Sequence, residues 1–316
     1  MNKKIDNYAP VVVFTYKRLE HLKVTLDTLN ASPIASETVM YIFCDGFKNE
    51  IDKDEVKKVQ TFVRESINVS HFKEINIVKN LQNKGLERSV IDGITDVLTK
   101  HDKVIVVEDD LALSPAFLEY MNKALIFYEN DDLIWSISGY SFPMKALENY
   151  NHDIYYSGRI CSWGWGTWKD RWGLVDWGVQ TYECFKHDWK KRINFSKWGA
   201  DLPIMLDFQM NGGINSWAIK WAYEAFCRQK KTIYPKKSYV SNLGIDGSGE
   251  HGSQSSYKKF ATTYSDDINC DIKFEKLSEN KFIRREFRKR YSCGMILNIK
   301  RQILAFLLRN KLYNEN

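Results

Sequence analysis

The stretch KVIVVEDDLALSPAFLEYM, residues 103–121, decides how the chain is read. Val104, Ile105, Val106 and Val107 form a short β-branched run that leads directly into Glu108, Asp109 and Asp110. A run of that length and composition, bounded by turn formers, is a buried strand. Ser114 as an N-cap and Pro115 in the first turn predict a helix opening immediately beyond. Three adjacent carboxylates at the end of a buried strand repel one another and lose hydration, so a positive partner is expected beside them.

Working outward, the same alternation repeats over the first 145 residues. APVVVFTY (9–16), TVMYIFCDG (38–46), EINIVKN (74–80) and LIWSISGY (133–140) read as further strands. Between them lie KRLEHLKVTLDTLNAS, with Leu19, Leu22, Leu26 and Leu29 at helical spacing, KDEVKKVQTFVRES and GLERSVIDGITDVLTK. Strand–helix alternation predicts an α/β fold: a mostly parallel, Rossmann-like sheet with helices on both faces. Ligands of such sheets sit beyond the carboxyl ends of the strands, where Tyr16, Asp45, Asn83, Lys84 and the three acids are all expected.

From about residue 150 the texture changes. Nine of the ten tryptophans fall between Trp163 and Trp221, beginning with CSWGWGTWKDRWG, and aromatics interleaved with glycine suit either a core or a platform for a flat ligand. Residues 259–316 read as a basic helical tail. Ten Lys or Arg stand against the single acid Glu286 between positions 281 and 312, so the rest of the 316-residue chain, formally +6 overall, carries about −3. That distribution argues against a nucleic-acid partner. Six cysteines are widely spaced without a metal-binding pattern, which suits reduced thiols in a cytoplasmic protein. No segment reaches the length and apolarity of a spanning helix.

Three chemistries compete for the acidic triplet. It can be a solvated turn. It can be an acidic pocket holding Mg²⁺ for phosphoryl transfer, although neither a nucleophilic aspartate nor a strand-end lysine stands in an obvious place. Or it can hold a hard divalent cation that bridges the phosphates of a nucleotide sugar, where few protein oxygens suffice because the phosphates supply the others. The last fits best, since a shared +2 ion accounts for three neighbouring acids.

VVVFTYKRLEHLKVTLDTL, YIFCDGFKNE, NKGLERSVIDG, VIVVEDDLALSPAFLEYMNKALIFYEND and SISGYSFP together resemble the nucleotide-binding half of a GT-A glycosyltransferase. SWGWGTWKDRW, INSWAIKW and YPKKSYVSNLGIDGSGEHG resemble bacterial sugar transferases that build surface polysaccharides. The carboxylate segment is also similar to that of the Golgi enzyme that adds the first branching N-acetylglucosamine to mannose. The likeness covers about residues 9–255. It implies a nucleotide-sugar half at 1–145, an acceptor and catalytic half at 146–258, and the tail outside both.

By position, the resemblance implies that Thr15, Tyr16 and Arg18 line the nucleotide and that Asp45 accepts from the uracil N–H. Lys84, Gly85, Arg88 and Ser89 would approach the base or diphosphate. Asp110 would be the ligand of Mn²⁺ or Mg²⁺, with Asp109 facing the ribose and Glu108 the donor sugar. Each residue also has a plain alternative: Arg18 an exposed helix-start cation, Asp45 a turn former before Gly46, Arg88 a solvated face. The implied reaction is inverting transfer of a hexosyl or N-acetylhexosaminyl group from a UDP-sugar to a glycan or a polyprenyl-diphosphate-linked glycan.

Inverting transfer needs a general base, usually a carboxylate. Similar sequences carry aspartate immediately before SWAI, whereas this chain has Asn215, and an amide is no base at neutral pH. Either Asp201, Asp207 or Glu224 takes the role, or the position was altered from aspartate, or the chain is an impaired transferase that still binds donor. Asp201 is favoured among the carboxylates, with a helix N-cap as its ordinary alternative. His251, in the glycine-rich loop NLGIDGSGEHG, is a candidate contact to metal or phosphate, and Trp163 and Trp165 are candidates to stack on a sugar. The tail over 281–313 suits a helix lying on an anionic membrane, which would place the protein at the inner face of the cytoplasmic membrane. Packing on the catalytic domain or on a second subunit is its alternative.

Overall fold

β-branched and aromatic runs form the strands where they alternate with helical periods, as the sequence leads one to expect. The computed structural model describes residues 8–66, 70–244, 260–264, 266 and 268–292. β1 (Val11–Thr15) is followed by α1 (Leu19–Asn30), β2 (Val39–Cys44), α2 (Lys53–Ser66), β3 (Glu74–Lys79), α3 (Leu86–Lys100) and β4 (Lys103–Glu108). These strands are joined in parallel in the order β3-β2-β1-β4, and every residue of β1 is buried. Burial on both faces explains why β1, β2 and β4 read as apolar runs rather than as alternation, whereas β3, at the sheet edge, is partly exposed and carries Asn76.

Beyond β4 come β5 (Leu111–Leu113), α4 (Phe117–Phe127), β6 (Ile134–Ser138), β7 (Ile154–Ser157) and β8 (Trp165–Trp168). The eight-stranded sheet continues as β4-β8-β6-β9-β7, with β9 at Lys231–Pro235, so one sheet crosses the boundary expected near residue 145. β8 runs antiparallel to both β4 and β6. Short helices α5 (Lys169–Gly173), α6 (Tyr182–His187), α7 (Trp189–Phe195), α8 (Leu202–Met210) and α9 (Trp217–Cys227) fill the second half. β10 (Val240–Asn242) pairs antiparallel with β5, and α10 (Lys281–Arg290) follows.

Three expectations need correction. α4 begins at Phe117 with Ala116 as its cap, because Ser114 and Pro115 are used in a turn closed by the Phe117 N–H on the Ser114 carbonyl. Of the described residues in the expected helical tail, those before Asn280 carry no long helix. They lie across the body instead, held by the Lys123 Nζ bond to the Cys270 carbonyl and the Tyr128 hydroxyl bond to that of Glu275. Trp165, expected as a platform for sugar, is only 1% exposed. With Trp135, Trp172, Trp217 and Trp221 it forms a packed cluster between the sheet and α9, with ring centroids as close as 4.6 Å. Buried, stacked and tilted tryptophans of this kind are core. No described helix is long and apolar enough to cross a membrane.

Candidate active site

The parallel strand order puts the carboxyl ends of β3, β2, β1 and β4 in one row. Chain reversal at β1, whose neighbours are β2 on one side and β4 on the other, opens a crevice between β1 and β4. Asp109 sits at that crevice. Its carboxylate accepts from the Thr15 hydroxyl at 3.1 Å, the Tyr16 N–H at 3.2 Å and the Arg18 guanidinium at 2.5 Å. The other arm of the same guanidinium lies 2.9 Å from Asp110. Arg18 thus bridges two acids, which raise its already high pKa despite the burial that works against its charge.

One guanidinium does not balance three carboxylates. Burial, then the neighbouring Asp110 and Asp109, push the Glu108 carboxyl up to about 8, and burial raises Asp110 even against the pull of Arg18. Glu108 remains partly exposed and has no hydrogen-bond or ion-pair partner among the described residues. The donor set suits a hard divalent cation, because Glu108 and Asp110 offer oxygen at a site short of positive charge. Among the described residues no group of three metal-binding side chains gathers here, so an ion held by Glu108 and Asp110 would need further ligands such as water or a bound phosphate.

Asp110 is covered by the chain after β10. The Leu243 N–H donates to the Asp110 carbonyl at 2.8 Å, and a Cβ on Gly244 would fall 2.1 Å from the Asp110 carboxylate. Only glycine permits that approach. The loop with His251 starts from this contact; His251 itself lies outside the described residues.

Two strands away, Asp45 organises the loop after β3. Its oxygens accept from the side chains of Asn80 and Asn83 and from the backbone N–H groups of Lys84 and Gly85, at 3.0–3.1 Å. Gly85 has φ +76, a conformation suited to glycine, and caps α3. Asp45 therefore shapes the loop that presents Lys84 and the first turn of α3. Ser89, in that turn, is buried with its hydroxyl unpartnered, and Arg88 is largely exposed beside Asp92.

Lys84 and Arg88 line a pocket of about 300 Å³ with Glu87, Ile91 and Asn215. Glu87 is the residue that sequence reasoning missed. Its carboxylate pairs with Lys220 at 2.6 Å and accepts from Gln209, whose carbonyl receives the Ser216 N–H. Asn215 is thus brought to a carboxylate contributed by a distant part of the chain. The three carboxylates weighed earlier are placed differently. Asp201 is held by both arms of Arg159 at 2.8–2.9 Å, and Asp207, with no exposed surface, by both arms of Arg192 and the Tyr182 hydroxyl. Glu224 pairs with Arg228 on α9. Trp163 is partly buried, edge-on to Tyr140 at 4.7 Å.

An acidic strand end at the crevice of an α/β sheet fits the nucleotide-sugar chemistry weighed for the triplet. Residues 1–197 match the GNT-I family, the family of Golgi N-acetylglucosaminyltransferase I, and the chain belongs to it. That family is one of glycosyltransferases with a GT-A-like fold, and membership in it favours the nucleotide-sugar reading of the triplet over the phosphoryl-transfer one. No curated protein matches the chain. Among solved structures it is similar to the mannosyltransferase PcManGT from Pyrobaculum calidifontis in complex with GDP-Man and Mn²⁺. That match has 14% identity and a TM-score of 0.38, over 54% of this chain and 49% of that one. The aligned part is thus about half the length of that relative.

Proposed function

We propose that this chain is a divalent-metal-dependent, inverting transferase that moves a hexosyl or N-acetylhexosaminyl group from a UDP-sugar to a glycan or polyprenyl-diphosphate-linked glycan in surface-polysaccharide synthesis. The observation that carries this reading is the under-neutralised triplet at the β1–β4 crevice, where Arg18 bridges Asp109 and Asp110 while Glu108 has no partner. Asp110, with Glu108, would hold Mn²⁺ or Mg²⁺, and the ion would supply positive charge to the departing diphosphate.

The protein's own groups do the rest. Arg18 fixes the two aspartates, and the Thr15 hydroxyl and Tyr16 N–H hold Asp109 in position to accept from ribose hydroxyls. Asp45 holds the loop from which Lys84, Gly85, Arg88 and Ser89 would meet the base or diphosphate. The acceptor's proton needs a carboxylate. Glu87 is the candidate that lines the pocket with Asn215; Lys220 and Gln209 hold its oxygens as arginines hold those of Asp201 and Asp207, so its place in the pocket is what favours it. A second reading, a donor-binding protein with impaired catalysis, draws its support from the amide at Asn215.

A lipid-linked acceptor would bring the protein to the inner face of the cytoplasmic membrane, with residues 281–313 as the contact. Titration with UDP and UDP-sugars, with and without Mn²⁺, tests the donor side; time-resolved UDP release with a polyprenyl-diphosphate glycan tests transfer. Metal-independent binding would defeat the metal assignment. Tight binding without acceptor-dependent UDP release would favour the impaired binder.

A further inference from the structure

α10 is fixed to the body on one side and strongly cationic on the other. Asn280 caps it, accepting from the N–H groups of Phe282 and Ile283. Ile283 and Phe287, one turn apart, are fully buried, with the Phe287 ring 4.9 Å from Phe142 and 5.7 Å from Trp198. Its acid, Glu286, is turned inward and accepts the N–H groups of Lys145 and Ala146. What remains outside is Lys281, Arg284, Arg285, Arg288 and Lys289.

Four of these cations converge with Lys197, from the 3-10 turn after α7, around a cavity of about 240 Å³ that, among the described residues, has no other lining. Arg284 is paired with Glu279, and Lys281 lies over the Phe282 ring. Lys197, Arg285 and Arg288 have no ion-pair partner among the described residues. An ordinary solvated helix face spreads its charges apart. Here cationic side chains from two separate elements line one cavity, a space that could take an anion.

Apolar side chains extend the same face. Trp189 and Ile193, four residues apart, share one face of α7, which runs directly into the 3-10 turn carrying Lys197. Trp189 is 65%, Ile193 55% and Phe282 60% exposed. Exposed aromatic and aliphatic residues beside a cluster of cations are the pattern of a surface that sits at the headgroup level of a bilayer.

We propose that the face built by α7, the 3-10 turn at Lys197 and α10 docks on a bilayer rich in anionic phospholipid. The five-cation cavity would receive a headgroup phosphate, with Trp189, Ile193 and Phe282 inserted around it. This rests on the membrane reading above and narrows it from the whole of 281–313 to α10 and the surface beside it, independently of the donor site.

The test is co-sedimentation of the full chain with phosphatidylcholine vesicles, with and without phosphatidylglycerol. Wild-type protein is expected to bind the mixed vesicles and not the neutral ones. Lys197→Gln/Arg285→Gln/Arg288→Gln should lower partitioning by about a hundredfold, and Trp189→Ala/Ile193→Ala by several fold, given the usual contribution of each basic residue near such a surface. Both variants should keep the wild-type melting temperature and UDP affinity in solution, which separates failure here from failure of the donor reading. Equal binding of the triple variant and wild type to mixed vesicles would overturn the proposal. So would wild-type protein that takes up inorganic phosphate at this cavity but ignores the vesicles, since the partner would then be a soluble anion.

Discussion

Asp109 and Asp110 share the single guanidinium of Arg18, whereas Asp201 and Asp207 each have a guanidinium to themselves. All four are largely buried aspartates next to arginine, and in the sequence all four were candidates for chemistry. The difference is charge balance. A bidentate pair such as Arg192–Asp207 satisfies both partners, and its work is to hold α7 against α8. At the β1–β4 crevice one guanidinium serves three acids, with His21 a weaker pull on Asp110; burial and their mutual repulsion push Glu108 and Asp110 toward protonation, an electrostatic reason for the site to take up a further cation.

The largest effect should come from opening a closed pair. Asp207→Ala leaves Arg192 buried without its acid and is expected to lower unfolding stability by about 3–5 kcal/mol in urea denaturation. A loss under about 1 kcal/mol would mean that the pair does not hold the helices. Asp201, slightly more accessible, should cost less.

Next is the pocket shared by Asn215 and Glu87. If Glu87 accepts the acceptor's proton, Glu87→Gln should slow UDP release from the acceptor-bound complex by at least about a hundredfold while leaving UDP affinity unchanged. Asn215→Asp in the same assay separates the alternatives: a large gain would mean that this chain lacks its usual base, and no gain would leave the role with Glu87. The smallest effect belongs to Arg18→Ala. Without its bridge the crevice acids repel one another, and stability in the absence of divalent ions should fall by about 1–2 kcal/mol. Added Mn²⁺ should recover part of that loss in a thermal melt, and no recovery would count against a cation site.

The parallel half of the fold was legible because β1, β2 and β4 are local apolar runs and each intervening helix has its own period. β5 was not, since its three residues become a strand only by pairing with Val240–Asn242, far along the chain. Ser114-Pro115 carried a sound helix-start signal, but the backbone there is used in a turn. The position of the acidic triplet followed from strand order alone. Whether a carboxylate meets its own arginine did not, because Arg159 and Arg192 look in sequence like any other cations. Glu87 was hidden for the same reason: its neighbours Lys220, Gln209 and Asn215 reach it only through the packing of α9 and α8 against α3.

The most direct test is calorimetric titration of UDP into Asp110→Asn and wild-type protein, each with Mn²⁺ and with chelator. Asp110→Asn should keep its fold and melt no lower than wild type, because one crowded charge is gone, and Mn²⁺ should no longer tighten UDP binding. If Mn²⁺ strengthens UDP binding equally in both proteins, the ion is held elsewhere and the crevice is not the donor site.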